Sequence, residues 1–252
     1  MVTAGFKTDP GMRRGNNEDA LFVMPEQQLY IIADGVGGHN SGELASRLAV
    51  GYIAQYVSLH PIKNIRDDQA LQGYFMDCIK GCNLLIYQKS KSCPENKGMA
   101  TTTVIAYING GKAYIVNVGD SRAYLIRDRE IRQLTEDHTY VNQLVRAGTI
   151  TREEAKRHPK RNMITRAVGG DLMVLPDFFQ FETCPGDMLI LCTDGLFGEL
   201  SEEEICRMAV SCRSMHRLSK DLVKEANERG GKDNISVICL KIQEVTGGAH
   251  EQ

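Results

Sequence analysis

The chain has 252 residues, of which 42% are hydrophobic and 25% are charged. This composition excludes a disordered or fibrous protein, and the length allows a large buried core, which we expect to form a single domain over residues 1–243. The 30 basic and 32 acidic side chains give a formal net charge of -2, so no overall positive field attracts nucleic acid or an anionic membrane.

The first part of the chain shows strand patterns and then two helix patterns. Strands are predicted at residues 20–24 and 29–33, separated by turn residues at 25–28. A helix is predicted from Asn40, with Glu43 completing a capping pattern, to about residue 59. A second helix is predicted over residues 67–91.

The second part returns to strands, interrupted by one polar excursion. Residues 101–134 predict a meander of four strands, with turns at 109–111 and 128–129. Short helices are predicted around residues 141–147 and from Thr151, and the remaining segments are predicted as follows: strands at 177–181, 187–193 and 234–242, helices at 201–210 and 215–228, and a flexible tail at 244–252. Because strands and helices form blocks, we expect an α+β fold with antiparallel sheets covered by two helix pairs.

Two further absences bear on the compartment. No apolar run approaches the roughly 20 residues needed to cross a bilayer, and residues 1–10 lack a secretory signal pattern. The eight cysteines contain no Cys-x-x-Cys pair and lie mostly in apolar or helical stretches, which predicts reduced, buried thiols. We therefore expect a cytoplasmic, monomeric protein without membrane insertion.

Three apolar runs of the sequence each end on an aspartate: Asp34, Asp120 and Asp194. If the three strands lie side by side, their ends gather negative charge at one rim of a sheet, and a cation must offset it. Taken singly, an Asp-Gly pair after a strand is a turn signal. Asp233 before the last strand and the Glu18-Asp19 pair before the strand at 20–24 favour a common site instead.

The donor types indicate which cation would bind. The candidates are carboxylates and the backbone carbonyl of Gly35, and no Cys or His accompanies them at ligand spacing, which favours Mg²⁺ or Mn²⁺ over zinc or copper. The number of acids favours two ions bridged by a shared aspartate, a centre that generates hydroxide near neutral pH.

Arg14 lies four residues before Glu18 and has two interpretations. It can balance the acids as a surface arginine, or its guanidinium can hold two oxygens of a phosphate beside the metals. The second interpretation makes phosphate ester chemistry the leading hypothesis. No Walker A loop, Gly-x-Ser-x-Gly elbow or cysteine-phosphatase loop is present, so catalysis by a side-chain nucleophile is not expected.

Six strings span most of the chain: Arg14-Gly15-Asn16-Asn17-Glu18-Asp19, Ala33-Asp34-Gly35-Val36-Gly37-Gly38-His39, Gly98-Met99-Ala100-Thr101-Thr102-Thr103, Val118-Gly119-Asp120-Ser121-Arg122, Thr193-Asp194-Gly195-Leu196 and Lys232-Asp233-Asn234. In this order they resemble the motifs of the metal-dependent protein phosphatases of type 2C, and their compact bacterial members most of all. The resemblance implies a four-layer α-β-β-α sandwich of two antiparallel sheets between helix pairs, with residues 138–170 as a small flap subdomain.

The resemblance also implies a role for each acidic residue. Asp34 would bridge two Mn²⁺ or Mg²⁺ ions, Asp194 and Asp233 would complete one site, and Glu18 with the Gly35 carbonyl would complete the other. Asp120 would hold a third, weaker ion together with Asp194, and Arg14 would bind the substrate phosphate. A metal-bridging hydroxide would then attack a phosphoserine or phosphothreonine monoester directly, without a phosphoenzyme.

Two positions depart from the family pattern. Val36 stands where many eukaryotic relatives carry a histidine regarded as the general acid, which leaves His39 as a candidate that can equally cap the following helix. Ala100 stands where glycine is usual, and we expect only local packing consequences. Asp19 and Asn234 are expected to contact the metal ligands rather than the ions.

Two other functions remain open from the sequence. A catalytically silent module could bind phosphoproteins with the same fold, and a structural protein could bind cations for stability alone. The enzyme hypothesis implies phosphorylated protein substrates made by a cognate Ser/Thr kinase. Metal-dependent hydrolysis of a small phosphate ester separates it from both alternatives.

Overall fold

The computed structural model describes residues 1–38 and 41–243. The predicted capping residue Asn40, the candidate acid His39 and the predicted tail at 244–252 lie outside the described residues. Within them, none of the helices combines the length and the apolar character that a membrane span requires. The eight cysteines all lie in the described ranges and are free, as predicted; five are buried, whereas Cys93 and Cys212 are half-buried and Cys184 is exposed.

The strands were largely predicted from the sequence, and their observed bounds are, in chain order, β1 (Val2–Asp9), β2 (Asp19–Met24), β3 (Leu29–Val36), β4 (Ala100–Thr101), β5 (Thr103–Asn109), β6 (Lys112–Val118), β7 (Arg122–Arg127), β8 (Glu130–Gln133), β9 (Asp177–Glu182), β10 (Met188–Cys192) and β11 (Ile235–Ile242). β1 was not predicted, since only Gly5 of its eight residues is fully buried and its apolar signal is weak.

Apart from the short α5, which was not predicted, the helices follow the predicted blocks. Their bounds are α1 (Ser41–Leu59), α2 (Asp68–Ser92), α3 (Tyr140–Arg146), α4 (Arg152–Arg157), α5 (Asp194–Phe197), α6 (Glu202–Ser211) and α7 (Met215–Glu228). The capping boxes read from the sequence are present at Thr151 with Glu154 and at Ser201 with Glu204. Each box satisfies two backbone N–H groups that the first helical turn leaves free.

Two antiparallel sheets are formed. The first has the strand order β1-β11-β10-β7-β8, and the second has the order β2-β3-β5-β6-β9 with β4 paired to β3. The predicted four-strand meander is therefore wrong, because β5 and β6 form a hairpin in the second sheet whereas β7 and β8 form one in the first. The chain changes sheets at residues 119–121, and periodicity alone cannot distinguish a change of sheet from a turn.

Three apolar layers hold the sheets and helices together. Tyr30 and Ile32 of β3 pack with Leu189 and Leu191 of β10 between the two sheets. The opposite face of β3 packs against α1 and α2, and the outer face of the first sheet packs against α5, α6 and α7. Since both faces of the central strands are covered, their sequences are continuously apolar. The predicted α+β fold with two antiparallel sheets is confirmed.

Candidate active site

Asp34 and Asp19 face each other across the β2–β3 pair, where the register places their Cα atoms opposite. Asp34 does not end its strand, because β3 continues to Val36 by pairing with β4. The Asp34 N–H donates to Thr102 Oγ1 at 2.9 Å, and its carbonyl accepts from Thr101 Oγ1 at 2.9 Å. Opposed like charges destabilise a strand pair, so this placement needs a compensating partner.

The other acids arrive from both sheets. Asp120 follows β6 of the second sheet, whereas Asp194 opens α5 directly after β10 of the first sheet. The idea of one rim on one sheet is therefore wrong, because the acids gather where the ends of two packed sheets meet. Asp19 and Asp120 are 6% and 7% exposed, while Asp34 and Asp194 keep partial contact with solvent.

The acids raise one another's pKa. Burial, followed by the charges of Asp19, Asp194, Asp120 and Asp233, raises the pKa of Asp34 well above its usual value. Burial also raises the pKa of Asp19 and of Asp120 to about 7, and the charge of Asp194 adds to both shifts. The cluster therefore prefers to hold protons or a cation.

Arg14 lies at the solvent edge of this cluster. Burial and then the charge of Asp233 raise the pKa of Asp194 to about 6, and the Arg14 guanidinium acts in the opposite direction. Arg14 Nη2 donates to Asp233 Oδ2 at 2.7 Å, and the Arg14 side chain is 54% exposed. The guanidinium thus lies beside the acids while remaining open to a ligand from solvent.

Glu18 and the Gly35 carbonyl converge next to Gly42 at the start of α1. A Cβ on Gly42 would overlap Glu18 Oε2 and would lie 2.9 Å from the carbonyl oxygen of Gly35. Glycine at this position therefore leaves room for two oxygen donors to approach the same point. This oxygen-only set suits a hard divalent cation.

Asn234 fixes the loop that carries Glu18. Its Oδ1 accepts the N–H of Glu18 at 2.7 Å, and its Nδ2 donates to the carbonyls of Pro10 and Asn16 at 2.9 and 2.8 Å. Asn234 is 6% exposed, so these bonds form away from bulk water. Its side chain therefore supports the loop that carries the candidate ligand Glu18.

The acidic residues of this cluster suit a divalent cation, although their side chains do not form a complete coordination site. Within the two described ranges, no three His, Cys, Asp or Glu side chains form a ready-made cage for an ion. The charges of the other acids raise the pKa of Asp34, so a cation placed among them would be stabilised. The buried Oδ1 of Asp19 has no hydrogen-bond partner among the described residues, so a metal-bound water could satisfy it.

Several supporting residues were missed by the sequence analysis. Thr193 Oγ1 donates to Asp19 Oδ2 at 2.9 Å, and Thr102 shares a 2.7 Å hydroxyl contact with Ser121. These hydroxyls precede or lie near the aspartates in the motifs, but their sequence positions do not reveal their partners.

A second missed group lies at the base of the predicted flap. His138 is 6% exposed, and its Nε2 is 3.0 Å from Asp177 Oδ2. Burial lowers the pKa of His138 although its hydrogen bond to Asp177 acts to raise it, so the neutral imidazole is favoured. Asp137, the residue before His138, accepts hydrogen bonds from Arg122 on both of its carboxylate oxygens, at 2.7 to 3.1 Å.

Comparison with known proteins places these motifs in a family. The model of the family described as protein phosphatase 2C matches residues 13–233. The serine/threonine phosphatase stp of Listeria monocytogenes serotype 4b (strain F2365) is 35% identical over 241 residues, which cover 94% of this chain and 95% of that protein.

Solved structures agree with this assignment. The serine/threonine phosphatase Stp1 from Staphylococcus aureus has a TM-score of 0.87 at 37% identity, covering 97% of this chain and 96% of that chain. The catalytic domain of the phosphatase PstP in complex with two manganese ions has a TM-score of 0.84 at 31% identity, covering 96% and 99%. The chain therefore belongs to the protein phosphatase 2C family, in its bacterial form, and is a protein serine/threonine phosphatase.

Proposed function

We propose that this protein hydrolyses phosphoserine and phosphothreonine monoesters with two bound Mn²⁺ or Mg²⁺ ions. The observation that carries the proposal is the cluster of acids that Asp194 from the first sheet forms with Asp19, Asp34 and Asp120 of the second sheet, whose pKa values are raised by burial and by one another's charges. The manganese complex of the related PstP domain supports the choice of ion and the number of two.

The metal ligands are assigned by position around Asp34. Asp34 would be shared by both ions, with Asp194 and Asp233 completing one set and Glu18 and the Gly35 carbonyl completing the other. Asp120 would join Asp194 around a third, weaker ion. When bound, the ions would supply hydroxide near neutral pH and would withdraw charge from the phosphoryl oxygens.

Arg14 would orient the phosphate group. Its side chain is 54% exposed and only Nη2 contacts Asp233, at 2.7 Å, so the other guanidinium donors would be free for an entering phosphate. The planar donor pair of arginine matches two phosphate oxygens and stabilises the charge that builds on them during transfer. Arg14 therefore acts on both binding and the transition state.

Attack on phosphorus is proposed to be direct, without a phosphoenzyme. Thr193, the hydroxyl nearest Asp194 in sequence, is fully buried and donates its proton to Asp19. Cys192 is also fully buried, and burial raises the pKa of its thiol far above neutrality. Neither side chain is therefore an available nucleophile. Because Val36 stands at the usual histidine position, the leaving group is protonated by another donor.

The wider assignments follow from this function. The substrates would be phosphoproteins produced by a cognate Ser/Thr kinase, and the protein would act in the cytoplasm as a monomer with one catalytic domain over residues 1–243. The segment over residues 138–170 would be a flap that borders the substrate cleft.

The test is turnover of a phosphothreonine peptide by the purified protein. We expect hydrolysis with added Mn²⁺ or Mg²⁺, no hydrolysis after chelation, and no protein-bound label when a ³²P-labelled substrate is quenched during turnover. Binding of the peptide without hydrolysis would support a silent phosphoprotein-binding module instead. Mn²⁺-dependent stabilisation with neither binding nor hydrolysis would support a structural cation site.

A further inference from the structure

The excursion between β8 and β9 contacts the residue before Asp120 through His138. The His138 N–H donates to the Gly119 carbonyl at 2.9 Å, and the Gly119 N–H donates to His138 Nδ1 at 3.0 Å. One residue of the excursion therefore holds both polar groups of Gly119. Since His138 is only 6% exposed, water competes poorly for these bonds.

Gly119 has little freedom of its own. Its φ is +107°, a backbone conformation that favours glycine, and a Cβ there would lie 2.6 Å from Thr102 Cβ. Gly119 is thus confined between Thr102 on one side and His138 on the other. Because Asp120 is the next residue, this confinement sets the direction in which the Asp120 carboxylate leaves the chain.

The other ring nitrogen of His138 holds the returning end of the excursion. Because Nδ1 accepts a hydrogen bond, Nε2 of the neutral ring carries the proton and donates it to Asp177 Oδ2 at 3.0 Å. Arg166 Nη1 donates to Asp177 Oδ1 at 2.9 Å. The Thr165 N–H also donates to the His138 carbonyl at 2.7 Å. One imidazole therefore joins both stems of the excursion to the peptide before Asp120.

We propose that His138 is a positioning residue that couples the placement of residues 138–165 to the orientation of Asp120, and so to the weaker cation that Asp120 and Asp194 would hold. The inference rests on the proposed metal-dependent function. It assigns His138 no contact with substrate or with an ion. Groups that orient metal ligands from behind are known to affect metal affinity strongly, which gives the effect a measurable size.

Two variants separate the bond from Gly119 to His138 Nδ1 from the bond between His138 Nε2 and Asp177. In His138→Asn, the amide oxygen can take the place of Nδ1 and accept the Gly119 N–H, while the link to Asp177 is lost. In His138→Gln, the longer amide can reach Asp177, while the acceptor for Gly119 is lost. Tyr114→Phe is the matched control, because it removes a 2.7 Å hydrogen bond to Asp68 from another buried side chain.

We expect His138→Gln to raise the Mn²⁺ concentration for half-maximal activity by about tenfold. The affinity for the third Mn²⁺, measured by EPR titration, should fall by the same factor. His138→Asn should raise both by about twofold or less, because the acceptor for Gly119 is kept. Only His138→Gln should speed hydrogen exchange of the Gly119 amide. The control should match the wild type in all three measurements.

Equal Mn²⁺ dependence and equal Gly119 exchange in the two His138 variants would overturn the proposal. If His138→Gln does not fold, the wild-type protein still decides it, since NMR should detect a coupling across the bond from the Gly119 nitrogen to His138 Nδ1, and its absence overturns the proposal. Failure of the proposed function would look different, because the wild type itself would then show no Mn²⁺-dependent turnover.

Discussion

The two ends of β10 carry buried acids with opposite surroundings. Before the strand, Asp187 is 2% exposed and accepts from Arg127 Nε at 2.8 Å, from Arg127 Nη2 at 2.7 Å and from the Cys184 N–H at 2.7 Å. Burial acts to raise the pKa of Asp187, but these hydrogen bonds lower it overall. After the strand, Asp194 meets other acids, and its pKa rises to about 6.

The difference separates a structural carboxylate from a functional one. At the Asp187 end the protein supplies its own cation, so the charge is neutralised by the fold alone. At the Asp194 end several acids lie close together with the exposed Arg14 at their edge, so stability is lost there unless a ligand binds. Residues that destabilise a fold while facing solvent commonly serve binding or catalysis.

The largest expected effect is at the Asp194 end. Asp34→Asn and Asp194→Asn should each lower Mn²⁺-dependent kcat/KM on a phosphothreonine peptide by about 1,000-fold or more, because each removes an anionic ligand. The melting temperature without divalent ions should rise at the same time, since one repelling charge is gone. Asp128→Asn, in an exposed turn, is the acid-to-amide control. Near-normal activity of either variant would contradict the assignment of the centre.

Arg14→Ala tests the exposed arginine of the same end. We expect kcat/KM to fall by about 100-fold, with contributions from both KM and kcat, because the guanidinium would contact phosphate in the ground state and the transition state. Arg14→Lys should recover only part of the loss, since a lysine lacks the planar donor pair. Arg13→Ala is the neighbouring control, and kinetics of Arg14→Ala equal to those of this control would remove the phosphate role.

The pH dependence of stability should report the uncompensated acids. The pKa values of Asp19 and Asp120 are about 7 in the folded protein, above their unfolded values, so the folded state binds more protons than the unfolded state in this range. The unfolding free energy of the metal-free protein should therefore fall as pH rises, with the melting temperature dropping by about 10 °C from about pH 5 to about pH 8. Added Mn²⁺ should remove most of the drop. A melting temperature that rises with pH over this range would contradict the raised pKa values of Asp19 and Asp120.

The smallest effect is expected at the Asp187 end. Arg127→Ala should lower the unfolding free energy by about 2 kcal/mol, less than for a fully buried pair because the Arg127 side chain is 38% exposed. Its kcat/KM should equal that of the wild type at a temperature where both are folded. Arg132→Ala, an exposed arginine of the same sheet, is the control in urea titrations. Lost activity in folded Arg127→Ala would mean that the two ends are coupled.

Local patterns predicted the elements well. The helix predicted at residues 215–228 is observed with those bounds, because the Ser214 hydroxyl accepts the Arg217 N–H and apolar residues recur on one face. The strand at Leu29 was also predicted, since both of its faces are buried and its residues are continuously apolar. Signals of this kind depend on residues a few positions apart.

Long-range features were predicted poorly. The meander prediction failed because residues 119–121 carry the chain from one sheet to the other, and a turn signal does not say which sheet receives the next strand. β1 was missed because its local apolar signal is weak, and its pairing with β11 joins residues more than two hundred positions apart. No role was predicted for His138, because its contacts are with residues far from it along the chain.

The sequence alone determined which acids, glycines and arginines were available, and their ordered motifs were enough to identify the family. Only the tertiary structure decided that Asp19 lies opposite Asp34, that Asp194 reaches them from the other sheet, and that Arg127 neutralises Asp187 at the opposite end of the same strand. The physical reason is that the cost of a charge depends on burial and on its neighbours in space, and the packing of the two sheets sets both.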